Sequence, residues 1–408
     1  MKHFFLIVAL LFVAQWNING QELRDSNWSK EVGIVTLERD GIALEEAVLT
    51  MEGEERLMLA FDLLDPQPQT LRYQITHCDA HWRKDELEPY EYYIGFSEAP
   101  IDNYASSFTT LQPYVHYYQE FPGQFEKFLI SGNYVVSVYR DNEILLTRRF
   151  YVQEGTAKAT IEAGRTKSGG RLMEDQEVDV AIEGTYRPEY LTVVVQQNGR
   201  TDNSRELSFS GYERGMLCYR WKSENIFPGG NSFRYFDISN LRTPMYNVQR
   251  IEQFGGEHFA LLKPEEDRSQ KSFSSGQSLN GGLKVNVWDR NEVNTEADYV
   301  WVNFSLPMER PILGGTIHIV GALTQWQLNE MSRMDWNPGF KAYTKRLYLK
   351  QGYYAYQLLY LPNGESKGET GLIEGDHVET ANDYTLYVYY REPGGRYDRL
   401  LRVTTIKH

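Results

Sequence analysis

Cysteine is nearly absent, with only Cys78 and Cys218 in 408 residues. Two thiols cannot staple a disulfide scaffold of this length, nor supply a Cys-rich zinc or iron–sulfur site. They are expected as buried thiols in different domains; a bridge between them stays open in an oxidising compartment. Basic charge is also short, 42 Lys+Arg against 56 Asp+Glu, for a net charge of −14. A surface of that sign repels phosphate backbones and anionic headgroups, which argues against nucleic acid and polybasic membrane docking. Long apolar runs are missing. The stretch Phe4 to Ala14 has eleven residues, about 16 Å as a helix, too short for a bilayer core. Helical periodicity beyond about three turns is missing too. No G-x-S-x-G elbow, P-loop, H-E-x-x-H or EF-hand loop occurs, and no spacing singles out a carboxylate pair for glycoside hydrolysis. No catalytic residue, cofactor or small-molecule substrate is therefore assigned.

What is present is aromatic and sheet-forming: 29 Tyr, 19 Phe and 8 Trp, punctuated by 33 Gly. Such a load excludes a disordered chain and favours pleated sheet. Period-two patterns follow. Leu57, Leu59, Phe61 and Leu63 line one face, opposed by Arg56, Met58 and Asp62. Tyr134, Val136 and Val138 repeat the pattern, as do Val300, Val302, Phe304 and Leu306. In the run from Tyr384 to Tyr390 both faces are apolar or aromatic, as in a central strand packed on two sides. Turn signals separate these runs at Asn198-Gly199, Asn280-Gly281-Gly282, Asn363-Gly364 and Pro393-Gly394-Gly395. The reading is all-β: Ig-like or early-set sandwiches in series, with short helices around Arg83 to Glu88 and Glu224 to Ile226. A basic start at Lys2 and His3, the apolar run and a small-residue region to Gly20 read as an export signal over residues 1–20, so Gln21 begins the mature chain. No Cys near that junction offers a lipid anchor. Linker-like stretches then divide the chain into sandwiches at 21–155, 156–307 and 308–408.

The cluster His77-Cys78-Asp79-Ala80-His81-Trp82 invites a metal-site reading. On a strand, however, His77 and His81 would stand ~13 Å apart at ~3.3 Å per residue, too far for one ion unless the chain turns. Asp79 is expected to cap a turn, with Trp82 in the core and His77 satisfied by backbone. In the last segment, Gly321 to Trp326, then Trp336, then Gly352-Tyr353-Tyr354-Ala355-Tyr356-Gln357, is similar to the early-set sandwich of glycogen- and starch-binding modules. That resemblance implies an early-set fold in which Trp326 and Trp336 would be the carbohydrate platform. Gln357 stands where those modules carry a sugar-contacting Lys, so the expectation is the fold with the site lost, and the platform is the alternative. Aromatics also crowd the Pro- and Gly-marked stretch from Tyr90 to Phe121. Those not needed for a core would suit a partner surface. The candidates are Tyr90, Tyr92, Tyr93, Phe96 and Tyr104, with Phe233 and Arg234 next.

The motifs HCDAHW, EPYEYYIGFSEAPIDNYASSFTTLQPYVHY, LISGNYVVSVYRDNEILLTRRFYV, IFPGGNSFRYFD and DHVETANDYTLYVYYREPGGRYDRLL follow one another along the chain. Together they closely resemble the plug protein family of the type IX secretion system. His81 stands where that pattern more usually has Asp, and Ser278-Leu279-Asn280-Gly281-Gly282 replaces a more usual Asp-Ile-Asn-Gly. The resemblance implies a non-enzymatic periplasmic protein at the outer membrane. It would seal the pore of the large translocon barrel when the barrel's shuttle partner is absent. The alternative is a periplasmic or surface carbohydrate-binding protein using the C-terminal sandwich.

Overall fold

The computed structural model describes residues 22–42, 44–96, 98–276 and 279–408. The export-signal reading of residues 1–20 lies outside them. Among the described residues no helix is long and apolar enough to cross a membrane. Nearly all regular structure is strand.

The first sandwich is built as its alternation requires. Leu57, Leu59, Phe61 and Leu63 are fully buried on a strand, Leu57–Leu63, that lies between Val32–Arg39 and Val115–Phe121. Tyr134, Val136 and Val138 face them from Gly132–Arg140, which lies between Arg72–Cys78 and Glu143–Gln153. Stacked and edge-on rings fill the gap between the sheets: Phe61 on Tyr117 at 5.4 Å, and Phe121 and Tyr134 each 5.4 Å from Phe150.

The other two sandwiches do not follow the expected boundaries at 156–307 and 308–408. Asp383–Tyr390 pairs with Leu191–Gln197, from Tyr390 opposite Leu191 to Tyr384 opposite Gln197. The chain's last strand, Arg399–Lys407, pairs with Asp383–Tyr390 in turn. The C-terminus thus completes the second sandwich, whose opposing sheet contains Lys158–Arg165, Asp175–Glu183 and Met216–Tyr219. The third sandwich is inserted between those halves. It is one nine-stranded ladder from Arg234–Asp237 to Val248–Phe254 that also includes Tyr299–Pro307, Gly315–Val320, Ala342–Lys350 and Gly352–Pro362. The ladder folds over one core, so that Phe236 on one half meets Phe304 on the other at 5.5 Å. Strand partners are chosen by complementary faces at long range, so a linear division at Pro307 cut through a sheet.

The two-faced strand Asp383–Tyr390 has a physical reason for its composition. Tyr384, Leu386 and Val388 enter the second core, while Tyr387 and Tyr389 pack with Val48, Ala80 and Tyr151 of the first sandwich. Helices are single turns. Arg83 to Glu88 is not helical; the turn starts at Pro89–Tyr92, where proline is preset for the first helical position and the Glu91 carboxylate accepts the Glu88 N–H at 2.9 Å. Ser223–Asn225 is a 3-10 turn.

Candidate partner interface

The helical turn Pro89–Tyr92 runs into Tyr93–Ile94, which pairs antiparallel with Lys127–Phe128. Alternation then sorts the side chains. Tyr93 and Phe128 turn inward, ring centroids 5.0 Å apart, and Ile94 turns outward. Two residues past Ile94 stands Phe96, and two before Lys127 stands Phe125, so the antiparallel pairing places both at the same end of this ribbon. They are 76% and 85% exposed, and Tyr90 is 76% exposed. With Ile94 and Leu129, also exposed, they give the first sandwich an apolar rim. Bulky apolar groups clustered in the open make a candidate protein contact surface.

The predicted anchors divide accordingly. Tyr90 and Phe96 stand on the rim. Tyr104 is half-exposed but lies on a different edge strand, against Tyr117 at 5.7 Å. Tyr92, Tyr93, Phe233 and Arg234 are buried and are not surface anchors. The Tyr92 hydroxyl donates to the Ile75 carbonyl at 3.0 Å, and burial pushes the Tyr93 phenol far above its usual range. Phe233 meets the edge of Trp326 at 6.1 Å, and Arg234 is held at 2.9 Å by Glu374 and at 2.5 Å by Glu265. Sequence reasoning missed Ile94, Phe125 and Leu129. Extending the aromatic stretch four residues past Phe121 would have reached Phe125.

The HCDAHW segment is a seam, built around a turn. Asp79 Oδ1 accepts the N–H groups of His81 and Arg83, both at 2.9 Å. His77 is fully buried, with Nδ1 on the Asp85 carboxylate and Nε2 3.2 Å from the Ser131 carbonyl. His81 points outward to Glu206 at 3.2 Å. Trp82 lies under the Arg149 guanidinium at 4.3 Å. Among the described residues no group of three or more His, Cys, Asp or Glu is placed to hold a metal ion. Both cysteines are buried and free. This segment and its neighbours join the first sandwich to the C-terminal strands. Asp398 accepts the Ala80 N–H at 2.9 Å, the Tyr389 hydroxyl donates to Asn133 at 2.8 Å, and Arg399 grips Glu154 through two bonds of 2.8 Å.

A second seam joins the first and third sandwiches through Asp62, the one acidic residue on the outward face of Leu57–Leu63. Its carboxylate, fully buried, accepts from Lys350 Nζ at 2.6 Å and Tyr299 Oη at 2.8 Å, and meets His116 Nδ1 at 2.7 Å. Lys350 also donates to the Asn294 carbonyl at 2.7 Å and lies 4.2 Å over the Tyr114 ring. Burial pulls the Lys350 ammonium below its usual range, and Asp62 opposes that pull. Nearby, Asp298 takes the backbone N–H groups of Leu111 and Gln112 at 2.6 and 3.1 Å. These contacts join residues far apart in sequence, which no local pattern announces.

The early-set aromatics Trp326 and Trp336 are each partly buried against the protein. Trp326 is wedged between sandwiches: a methyl group added at Gly281 would fall 2.1 Å from its ring, and one at Gly199 3.8 Å away. Trp336 packs on the third core, its indole N–H 3.5 Å from the Met308 carbonyl. Gln357 is buried and donates to the Asn231 carbonyl at 2.7 Å. Trp326→Ala is therefore expected to lower unfolding free energy by about 2 kcal/mol, from lost packing, and to leave mobility in glucan-affinity gels unchanged. A mobility change without a stability loss would return Trp326 to the surface.

The fold defines a three-sandwich β protein whose distinctive motifs form internal seams and whose first sandwich presents an apolar rim. Residues 32–154 match the family described as the type 9 secretion system plug protein 1st domain. The chain thus carries a type IX secretion plug first domain over that stretch. It is similar in structure to a hypothetical protein from Parabacteroides merdae ATCC 43184, with TM-score 0.92 and 31% identity over 95% of this chain and all of that one. An alkylpurine DNA glycosylase from Pseudomonas fluorescens aligns over 30% of each chain with TM-score 0.16 and 17% identity. No curated protein matches the chain.

Proposed function

We propose that this protein is a periplasmic plug that closes the large outer-membrane barrel of a type IX secretion system while the barrel's shuttle partner is away. The match of residues 32–154 to the plug first domain carries this reading. The apolar rim of Tyr90, Ile94, Phe96, Phe125 and Leu129 lies within that matched stretch, and in this reading it is the surface offered to the barrel, with Tyr104 as a more distant contact. Occluding a pore needs a body that keeps its shape, and two buried polar seams tie the sandwiches together. It also needs a broad contact with aromatic anchors rather than a pocket.

The test is capture of the barrel from outer-membrane extracts by the tagged protein. The Phe96→Ser/Phe125→Ser variant is expected to retain about a tenth or less of the captured barrel, because two central aromatic anchors are lost. Its melting temperature should be unchanged, since both side chains are exposed. Undiminished capture would remove the rim from the interface; no barrel with the unmodified protein would overturn the plug reading.

A further inference from the structure

We propose that the free edge strand of the third sandwich, Val248–Phe254, pairs antiparallel with the same strand of a second copy of this chain, about a two-fold axis at Ile251. Within one chain this strand bonds on one side only, to Glu257–Leu262. Gly255 and Gly256, with φ of +61° and +81°, close the turn between them. So tight a turn makes Phe254 and Glu257 a hydrogen-bonded pair, and bonding alternates along an antiparallel ladder. Glu252 therefore bonds inward to its own sheet, while Ile251 and Gln253 turn their backbone N–H and C=O groups outward. Among the described residues no other strand or loop takes up those outward groups. Arg250, Glu252, Gln253 and Phe254 are exposed. Sheet edges are commonly blunted by proline, lysine or an inward-pointing charge. From Arg250 to Phe254 this edge has none of them, and its inward residue, Ile251, packs on the third core. The one irregularity is a register shift between Val248 and Arg250, outside the central residues of the pairing.

Charge selects both the occupant and the register. With the axis at Ile251, Arg250 stands opposite the second copy's Glu252, and Glu252 opposite its Arg250. These are non-hydrogen-bonded positions of the new ladder, where opposed side chains come closest. Within one chain Arg250 Nε is already 3.1 Å from Glu252 Oε1, so pairing closes a ring of four alternating charges. Moving the axis one residue either way sets Glu252 or Arg250 against itself, and like charges directly opposite are destabilising. A foreign strand would need the same order of charges in reverse, which a second copy running antiparallel supplies. The axis is a closed two-fold, so the product is a dimer rather than a fibre. Two chains of net charge −14 repel each other, and the shared edge is short, so association is weak and reversible. The strand lies on the third sandwich and the apolar rim on the first. The dimer therefore does not rest on the proposed function, and either can fail alone.

Sedimentation equilibrium of the purified protein is run from about 1 to about 300 µM in about 0.15 M salt. The mass is expected to rise from that of one chain toward that of two. Arg250→Glu brings four carboxylates together and should weaken dimerisation roughly thirtyfold or more. Adding Glu252→Arg rebuilds the ring with its signs exchanged and should return dimerisation to within about threefold of the unmodified protein. Melting temperatures should not change, since both side chains are exposed. Gln253→Pro removes an outward N–H that its own chain does not use, and should be monomeric throughout. The rim variant Phe96→Ser/Phe125→Ser should dimerise like the unmodified protein. A monomer at every concentration overturns the proposal. So does normal dimerisation of Arg250→Glu or of Gln253→Pro, a charge-exchanged variant that stays monomeric, or a rim variant that fails to dimerise.

Discussion

Asp62→Ala is expected to lower the unfolding free energy by about 3–5 kcal/mol, because it leaves a buried ammonium with no counter-charge. Lys350 sits at the end of Ala342–Lys350 with its side chain fully covered, and the Asp62 carboxylate at 2.6 Å is its one anionic partner among the described residues. Removing the carboxylate also takes an acceptor from Tyr299 and from His116, each within 2.8 Å of it. The Tyr299 hydroxyl itself accepts the Ile34 N–H at 2.9 Å, so the damage reaches the neighbouring strand Val32–Arg39. Urea unfolding of the purified protein measures the effect. The double variant Asp62→Asn/Lys350→Met should be more stable than Asp62→Ala, since no charge is then stranded, with a coupling of about 2 kcal/mol in the full cycle. A loss below about 1 kcal/mol for Asp62→Ala would resemble an exposed ion pair, and would mean that contacts other than the Asp62 group hold the first and third sandwiches together.

Glu374→Gln is expected to cost about 3 kcal/mol at neutral pH, and the cost should disappear in acid. Glu374 is fully buried and faces two guanidiniums. Arg234 binds it through two bonds of 2.9 Å, Arg268 adds another of 2.8 Å, and the Leu358 N–H donates to it at 2.7 Å. Burial alone would raise its carboxyl, but the two arginines outweigh burial and hold it below the ordinary 4.5. A carboxyl depressed on folding contributes stability above its unfolded value and loses it as pH falls toward the folded one. The gap in urea midpoint between the unmodified protein and Glu374→Gln should therefore be full from about pH 7 down to about pH 5, and shrink below that. A gap independent of pH would show that the glutamine fails for reasons of packing rather than charge.

Much of the fold was legible because period-two alternation is a direct record of burial. The faces Leu57 to Leu63, Tyr134 to Val138 and Val300 to Leu306 were read correctly from single strands. The apolar composition on both faces of Tyr384 to Tyr390 was also a true signal, of a strand serving two cores. What that signal could not supply was the identity of the cores. The C-terminal strands cross back to Leu191–Gln197 over an inserted sandwich, and nothing local distinguishes that partner from the nearer strands.

The partner surface was half legible for a related reason. Pro and Gly around Tyr90 to Phe121 announced irregular backbone, where aromatics need not be core. Within the helical turn and its ribbon, however, one-residue steps decide the outcome: Tyr92 and Tyr93 point in, Tyr90, Ile94 and Phe96 out. Phe233 and Arg234 were drawn from a glycine-led segment that passes between sandwiches, and a surface was expected where a seam exists. Asp62 was read only as one residue of the outward face of an alternating strand. Its meaning came from Lys350, 288 residues away.

The central claim, that this protein closes a secretion pore, is tested most directly in the cell that makes it. Entry of a large, normally excluded antibiotic such as vancomycin is compared in cells with and without the protein while the translocon barrel is kept. Loss of the protein is expected to sensitise the cells, and the unmodified chain to restore resistance where the Phe96→Ser/Phe125→Ser variant does not. An unchanged permeability barrier in cells shown to contain the barrel would contradict sealing.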